Sequence, residues 1–134
     1  MPATGAFRYH TREDQVLRRA IQRKIADAIE LGRKIHPDWT RCIGAFYRTK
    51  TGIAQDHPTE FTTQACALGF ARVGGYDGSE HAYLATLDVG DEEYTDELSI
   101  ANINDRYGWT LDEIISELRK QGKEPEDADS QSEQ

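Results

Sequence analysis

Two cysteines, Cys42 and Cys66, are the residues best suited to nucleophilic chemistry, and four histidines, His10, His36, His57 and His81, are spread along the chain. A cysteine attacks as the thiolate, so catalysis needs a lowered thiol pKa, an imidazole within hydrogen-bond reach and a third group to orient that base. Cys66 with His81, oriented by Asn104 or Asp105, is the combination the sequence offers for a small cysteine-dependent hydrolase or transferase. Cys66 also stands among Ala65, Ala67 and Leu68. Those are the surroundings of a buried structural cysteine, so this enzyme reading is the alternative and not the leading one.

A second constellation is aromatic and polar. Trp39, Tyr107 and Trp109, with Asn104 and Asp105, could form a recognition pocket of flat apolar walls and two hydrogen-bonding groups. The structural reading of Asn104 and Asp105 is that their side chains bond to nearby backbone and hold a turn. With no complete catalytic motif, the leading expectation is a non-enzymatic binding or regulatory module that recognises a protein or a small molecule through these residues.

Metal and cofactor sites are not expected. The chain has no Cys-x-x-Cys pair and no His-Glu-x-x-His. The acidic run between Asp88 and Glu97 lacks the alternating ligands and turn glycine of a calcium loop. Gly74-Gly75-Tyr76-Asp77-Gly78 lacks the lysine of a phosphate-binding loop and reads as a turn.

The charge is divided. Of 134 residues, the first 50 hold 11 Lys/Arg and 5 Asp/Glu, whereas the remainder hold 5 and 19, for a net charge of -8. The acidic second half argues against direct nucleic-acid binding, despite Arg18, Arg19, Arg23, Lys24, Arg33 and Lys34 on the first helix as candidates for a phosphate-facing edge. The asymmetry suits pairing between protomers or an acidic surface that blocks a basic partner. No apolar run is of membrane-spanning length, and the first residues lack the apolar stretch of a secretory signal. The expected location is therefore the cytoplasm.

The elements that must position these residues are mostly helical by pattern. Thr11 precedes Glu13 and Asp14 as a helix cap, and Leu17, Ile21, Ile25, Ala28, Ile29 and Ile35 recur at helical spacing up to His36-Pro37. Cys42 to Arg48 reads as a short strand or hairpin. Phe61, Ala65, Leu68 and Val73 predict a second helix, with Pro58 near its start and the glycine run at its end. Ser79 is a candidate cap. Residues 81–89 fit either helix or strand, and Asp91-Glu92-Glu93 predict a helix through Ile103. Thr110 with Glu113 forms the pattern of a capping box ahead of Leu111, Ile114, Ile115 and Leu118. The expected fold is mainly α, a compact multi-helix domain with a short β-hairpin. Its expected organisation is a flexible lead over 1–10, one globular domain over 11–121 and a disordered acidic tail over 122–134.

Three pieces in this order resemble a widespread family of small, functionally uncharacterised bacterial and phage-associated proteins. They are Asp38-Trp39 with Cys42, the block Ala65-Cys66-Ala67-Leu68-Gly69-Phe70, and Ser99 to Asp105 followed by the Thr110 helix. The resemblance covers residues 16–119. Phe70 stands where the family pattern has alanine, which predicts a locally different core. The resemblance implies the fold and a shared pocket; it implies no activity.

Overall fold

The structure, a computed structural model, describes residues 10–78, 81–90 and 93–123. Helix α1 spans Arg12–Ile35 and starts at the expected cap. The Thr11 side chain accepts from the Asp14 N–H at 3.0 Å, and the Asp14 carboxylate accepts in return from the Thr11 N–H. Each bond satisfies a donor that a helix start leaves open. Ile21, Ile25, Ala28 and Ile29 form the buried stripe, whereas Ile35 is exposed in the last turn before Pro37.

A mixed sheet follows, built from β1 (Thr40–Arg41), β2 (Tyr47–Thr49), β3 (Ala54–Gln55) and β4 (Thr62–Ala65). The strand order is β1-β4-β2-β3, with β1 and β4 parallel. Helix α2 (Ala67–Val73) leaves directly from β4. The second helix therefore starts later than its apolar spacing predicts, because Thr62 to Ala65 pair on both sides with β1 and β2. Such pairing favours β-branched residues and overrides local helical periodicity. Phe61, expected in the core, is 68% exposed just ahead of β4.

After a 3-10 turn (Ala82–Leu84), β5 (Thr86–Gly90) and β6 (Thr95–Ser99) form an antiparallel hairpin. The helix expected through Leu98 is thus a strand as far as Ser99; only α3 (Ile100–Arg106) is helical there. Five aligned pairs, from Thr86↔Ser99 to Gly90↔Thr95, hold this hairpin together. Helix α4 (Leu111–Gly122) begins at the predicted capping box of Thr110 and Glu113. Among the described residues, four helices and two sheets make the fold α+β, so the mainly helical expectation holds only in part. Ser79 lies outside the described residues, as does the acidic chain beyond Lys123; Gly122, placed in the tail by composition, is a buried residue of α4.

The core is one cluster that includes Ile25, Ile29, Phe70, Leu84, Ile103, Ile114 and Leu118, with Leu17 and Leu68 packed at its margin. Helices α1 and α2 cross closely. A Cβ at Gly32 would overlap the Phe70 carbonyl, and one at Gly74 would overlap the Ala28 carbonyl.

The opposite charges of the two halves meet inside the chain. Arg18, 4% exposed, donates through Nε to Thr86 Oγ1 at 2.9 Å and pairs with Asp88 at 3.0 Å and Glu97 at 3.4 Å. His10, the last residue of the expected flexible lead, joins Glu97 at 2.8 Å. Arg33 pairs with Asp112 at 2.7 Å. Arg119 pairs in the reverse sense with Asp27 and Glu30. No helix among the described residues is long and apolar enough to cross a membrane.

Candidate functional site

Parallel pairing of β1 with β4 aligns Arg41 with Ala65, and Cys42 and Cys66 are the residues that follow the two strands. The Cys42 N–H donates to the Ala65 carbonyl at 3.0 Å, and the Cys66 N–H donates to the Phe46 carbonyl at 2.9 Å. Cys66 is the N-cap of α2, where its Sγ accepts from the Gly69 N–H at 3.3 Å.

Asn104, 1% exposed, ties this junction to α3. Its Oδ1 accepts from the Ala67 N–H at 3.2 Å, and its Nδ2 donates to the Cys42 carbonyl at 3.0 Å and to Asp105 Oδ1 at 2.8 Å. Asp105 Oδ1 also accepts from the Gly44 N–H at 3.1 Å. The Arg41 guanidinium donates to the Asn104 carbonyl at 2.7 Å. The cysteine segments and the Asn-Asp pair, distant in sequence, therefore meet in one knot. Beside it lies a hollow of about 340 Å³ walled by Gly44, Phe46, Asp56, Cys66, Ala101 and Asp105.

Both thiols are held in the protonated form. Burial, followed by the neighbouring Cys66, pushes the Cys42 thiol from 9.0 up to about 11. Burial also pushes the Cys66 thiol up, against lowering bonds from backbone N–H groups. An activated nucleophile needs the opposite shift. Among the described residues neither thiol is hydrogen-bonded to a histidine. His81 stands ahead of the 3-10 turn with φ 55°, its ring centroid 6.1 Å from that of Tyr83. His57 lies against a separate hollow with Arg72 and Tyr76. The structure thus brings Cys66, Asn104 and Asp105 together and sets His81 against Tyr83.

A larger hollow, about 710 Å³, opens where α1 ends. Residues 36–39 form a turn closed by the Trp39 N–H donating to the His36 carbonyl at 3.1 Å. Pro37 presets the φ that such a turn needs at its second position. The turn stacks the His36 and Trp39 rings, with centroids 3.7 Å apart and planes within 1°. Phe70 and Tyr47 contact Trp39 from the core side, at 6.2 and 6.1 Å between centroids. Pro37, Arg33, Lys34, Leu111 and the two carboxylates Glu30 and Asp112 complete the wall, and Glu30 is taken up by Arg119. Arg33 is engaged by Asp112, whereas Lys34 has no ion-pair partner among the described residues.

Trp39 therefore does not share a wall with Asn104 or Asp105. Tyr107 caps α3 and is 48% exposed. Trp109 is half-buried against the core and lines its own hollow with Asp112, Glu113 and Ser116. The residue pattern noted Lys34 on the basic first helix, His36 at its end, and Leu111 and Asp112 in the last helix, but it did not bring the four together. The one available signal was His36-Pro37-Asp38-Trp39, a turn sequence that places two flat rings at its ends. Among the described residues no group of three His, Cys, Asp or Glu side chains is placed to hold a metal. Compared with known proteins, the chain matches no family model, no curated protein and no solved structure.

Proposed function

We propose that this protein is a non-enzymatic binding module whose recognition surface is the Trp39 hollow, and that its ligand presents a carboxylate or phosphate next to a flat apolar group. The observation that carries this reading is the stacked His36–Trp39 pair beside Lys34. A flat group gains most by covering an aromatic face, and the Lys34 ammonium, without an ion-pair partner among the described residues while Asp112 and Glu30 are taken up by Arg33 and Arg119, offers an anion its counter-charge. The turn that stacks the rings preorganises the surface, which lowers the ordering cost of binding. The raised thiol pKa values favour this reading over a cysteine-dependent enzyme.

Nuclear magnetic resonance titration with phenyl phosphate tests the reading. Saturable shifts are expected at the amides of residues 33–39 and 111–112, with much smaller shifts for phenol. Equal responses to phenol, or shifts confined to other faces, would overturn it.

A further inference from the structure

The two thiols lie outside the proposed recognition surface, and their placement supports a separate chemistry. The parallel register ends at Arg41↔Ala65, and Cys42 and Cys66 are the next residue of each segment, with the Cys42 N–H still bonded to the Ala65 carbonyl at 3.0 Å. Neighbouring strands run about 4.8 Å apart. That lies inside the roughly 4.4–6.8 Å range of Cα separations that disulfides span. After burial, the Cys66 thiol is the largest influence on the Cys42 thiol, which fits the two side chains lying close together. Both cysteines are free and each is 6% exposed. Only Cys66 forms part of the hollow beside Asp105, and the other charged group in that wall is Asp56. Arg48 stands nearby, but its guanidinium is bonded to the Ile43 and Gly52 carbonyls.

We propose that Cys42 and Cys66 are a dithiol modification site that closes to an internal disulfide by exchange with a cationic low-molecular-weight disulfide admitted through the Asp56–Asp105 hollow.

In the first step the Cys66 thiolate attacks one sulfur of the reagent. An S–S bond forms between Cys66 and that half of the reagent, the reagent's own S–S bond breaks, and the other half leaves as a thiolate. In the second step the Cys42 thiolate attacks Cys66 Sγ, and the second half leaves as a thiolate. The protons lost by the two cysteines are taken up by the two released thiolates. The protein dithiol is oxidised by two electrons and the reagent is reduced by two. Cys66 reacts first because it lines the hollow, and Cys42 resolves the mixed disulfide from the segment that follows β1. The two carboxylates raise the local concentration of a cation and repel an anion. The bond joins the end of β1 to the N-cap of α2. High thiol pKa values make both thiolates scarce and both poor leaving groups, so closure and reversal are each slow.

The test treats the full chain with cystamine, a cationic disulfide, and with anionic glutathione disulfide. Each rate is normalised to that reagent's rate with a small free thiol. Intact mass is expected to fall by two hydrogen atoms, peptide mapping to show Cys42 linked to Cys66, and a reductant to reverse both. At low salt the normalised cystamine rate is expected to be roughly tenfold higher, with the advantage shrinking as salt is added. Cys42→Ser is expected to stop at a mixed disulfide on Cys66. Two separate adducts without linkage, unmodified thiols in the folded wild-type chain, or an equal normalised glutathione rate would overturn the proposal. Because the mapping is done on the wild-type chain, it stands even if a serine variant fails to fold.

Discussion

Asn104 Nδ2 donates to the Cys42 carbonyl at 3.0 Å across 62 residues of sequence. That bond, with the one from the Ala67 N–H to Asn104 Oδ1, gives one buried amide both a donor role and an acceptor role at the sheet–helix junction. An amide can do this and a carboxylate cannot.

Replacing Asn104 is therefore costly, and the form of the cost is diagnostic. Asn104→Ala leaves the Cys42 carbonyl and the Ala67 N–H without that partner, and is expected to lower stability by about 3 kcal/mol. Asn104→Asp keeps an acceptor for Ala67 but sets a second carboxylate against Asp105 and the Cys42 carbonyl. Its destabilisation is expected to shrink as pH falls and the new carboxyl is protonated. Urea titrations at neutral and mildly acidic pH measure both.

Arg18 is the charge that fastens the β5–β6 hairpin to α1. Removing it leaves Asp88 and Glu97 part-buried without that counter-charge. Arg18→Leu is expected to cost about 3–5 kcal/mol, far more than Arg33→Leu, whose exposed pair with Asp112 is worth less than about 1 kcal/mol. Thermal melts of the two variants under matched salt give the comparison.

Gly32 lets α1 approach the backbone of α2. Gly32→Ala is expected to cost about 2–3 kcal/mol through displacement of the Phe70 segment, despite alanine's better helix propensity. A variant as stable as the wild type would mean that the helices are not in contact there, and chemical denaturation reads the difference.

The buried thiols make the fold sensitive to alkali. In the unfolded chain Cys42 ionises near its ordinary 9.0, whereas in the folded chain it stays protonated to about 11. Between those values the unfolded state holds fewer protons, so unfolding becomes easier as pH rises. The contribution is fully present below pH 9.0 and is lost as pH rises through about 11. The loss is roughly 2–3 kcal/mol for this group. The raised Cys66, Tyr47 and Tyr76 act in the same direction. Cys42→Ser is expected to flatten the stability profile in that window, as followed by urea midpoints across pH.

The parts of this fold legible in the sequence are those set by local chemistry. The Thr11 and Thr110 caps are bonds between neighbours, and the Ile21–Ile29 and Ile114–Leu118 stripes follow helical period. Thr62 to Ala65 and Thr95 to Ser99 were not legible as strands, because their partners lie elsewhere in the chain and pairing outweighs local preference. Asn104 and Asp105 were recognisable as polar residues with a role at a turn. Their attachment to Cys42, Gly44 and Ala67 depends on the meeting of three distant segments. Trp39 was legible as an aromatic residue at the end of the first helix and a candidate for recognition. Its companions Lys34, Leu111 and Asp112 are gathered by the packing of α1 against α4, which no local spacing encodes.

The most direct measurement of the binding account uses the Trp109→Phe chain, in which Trp39 is the remaining tryptophan. Its fluorescence is followed during titration with phenyl phosphate, with Lys34→Glu as the matched variant. A saturable change for phenyl phosphate that weakens at least tenfold in Lys34→Glu, about 1.4 kcal/mol or more, is the expected result. No saturable change, or an equal affinity in the Lys34→Glu chain, would contradict the assignment of this hollow as an anion-recognition surface.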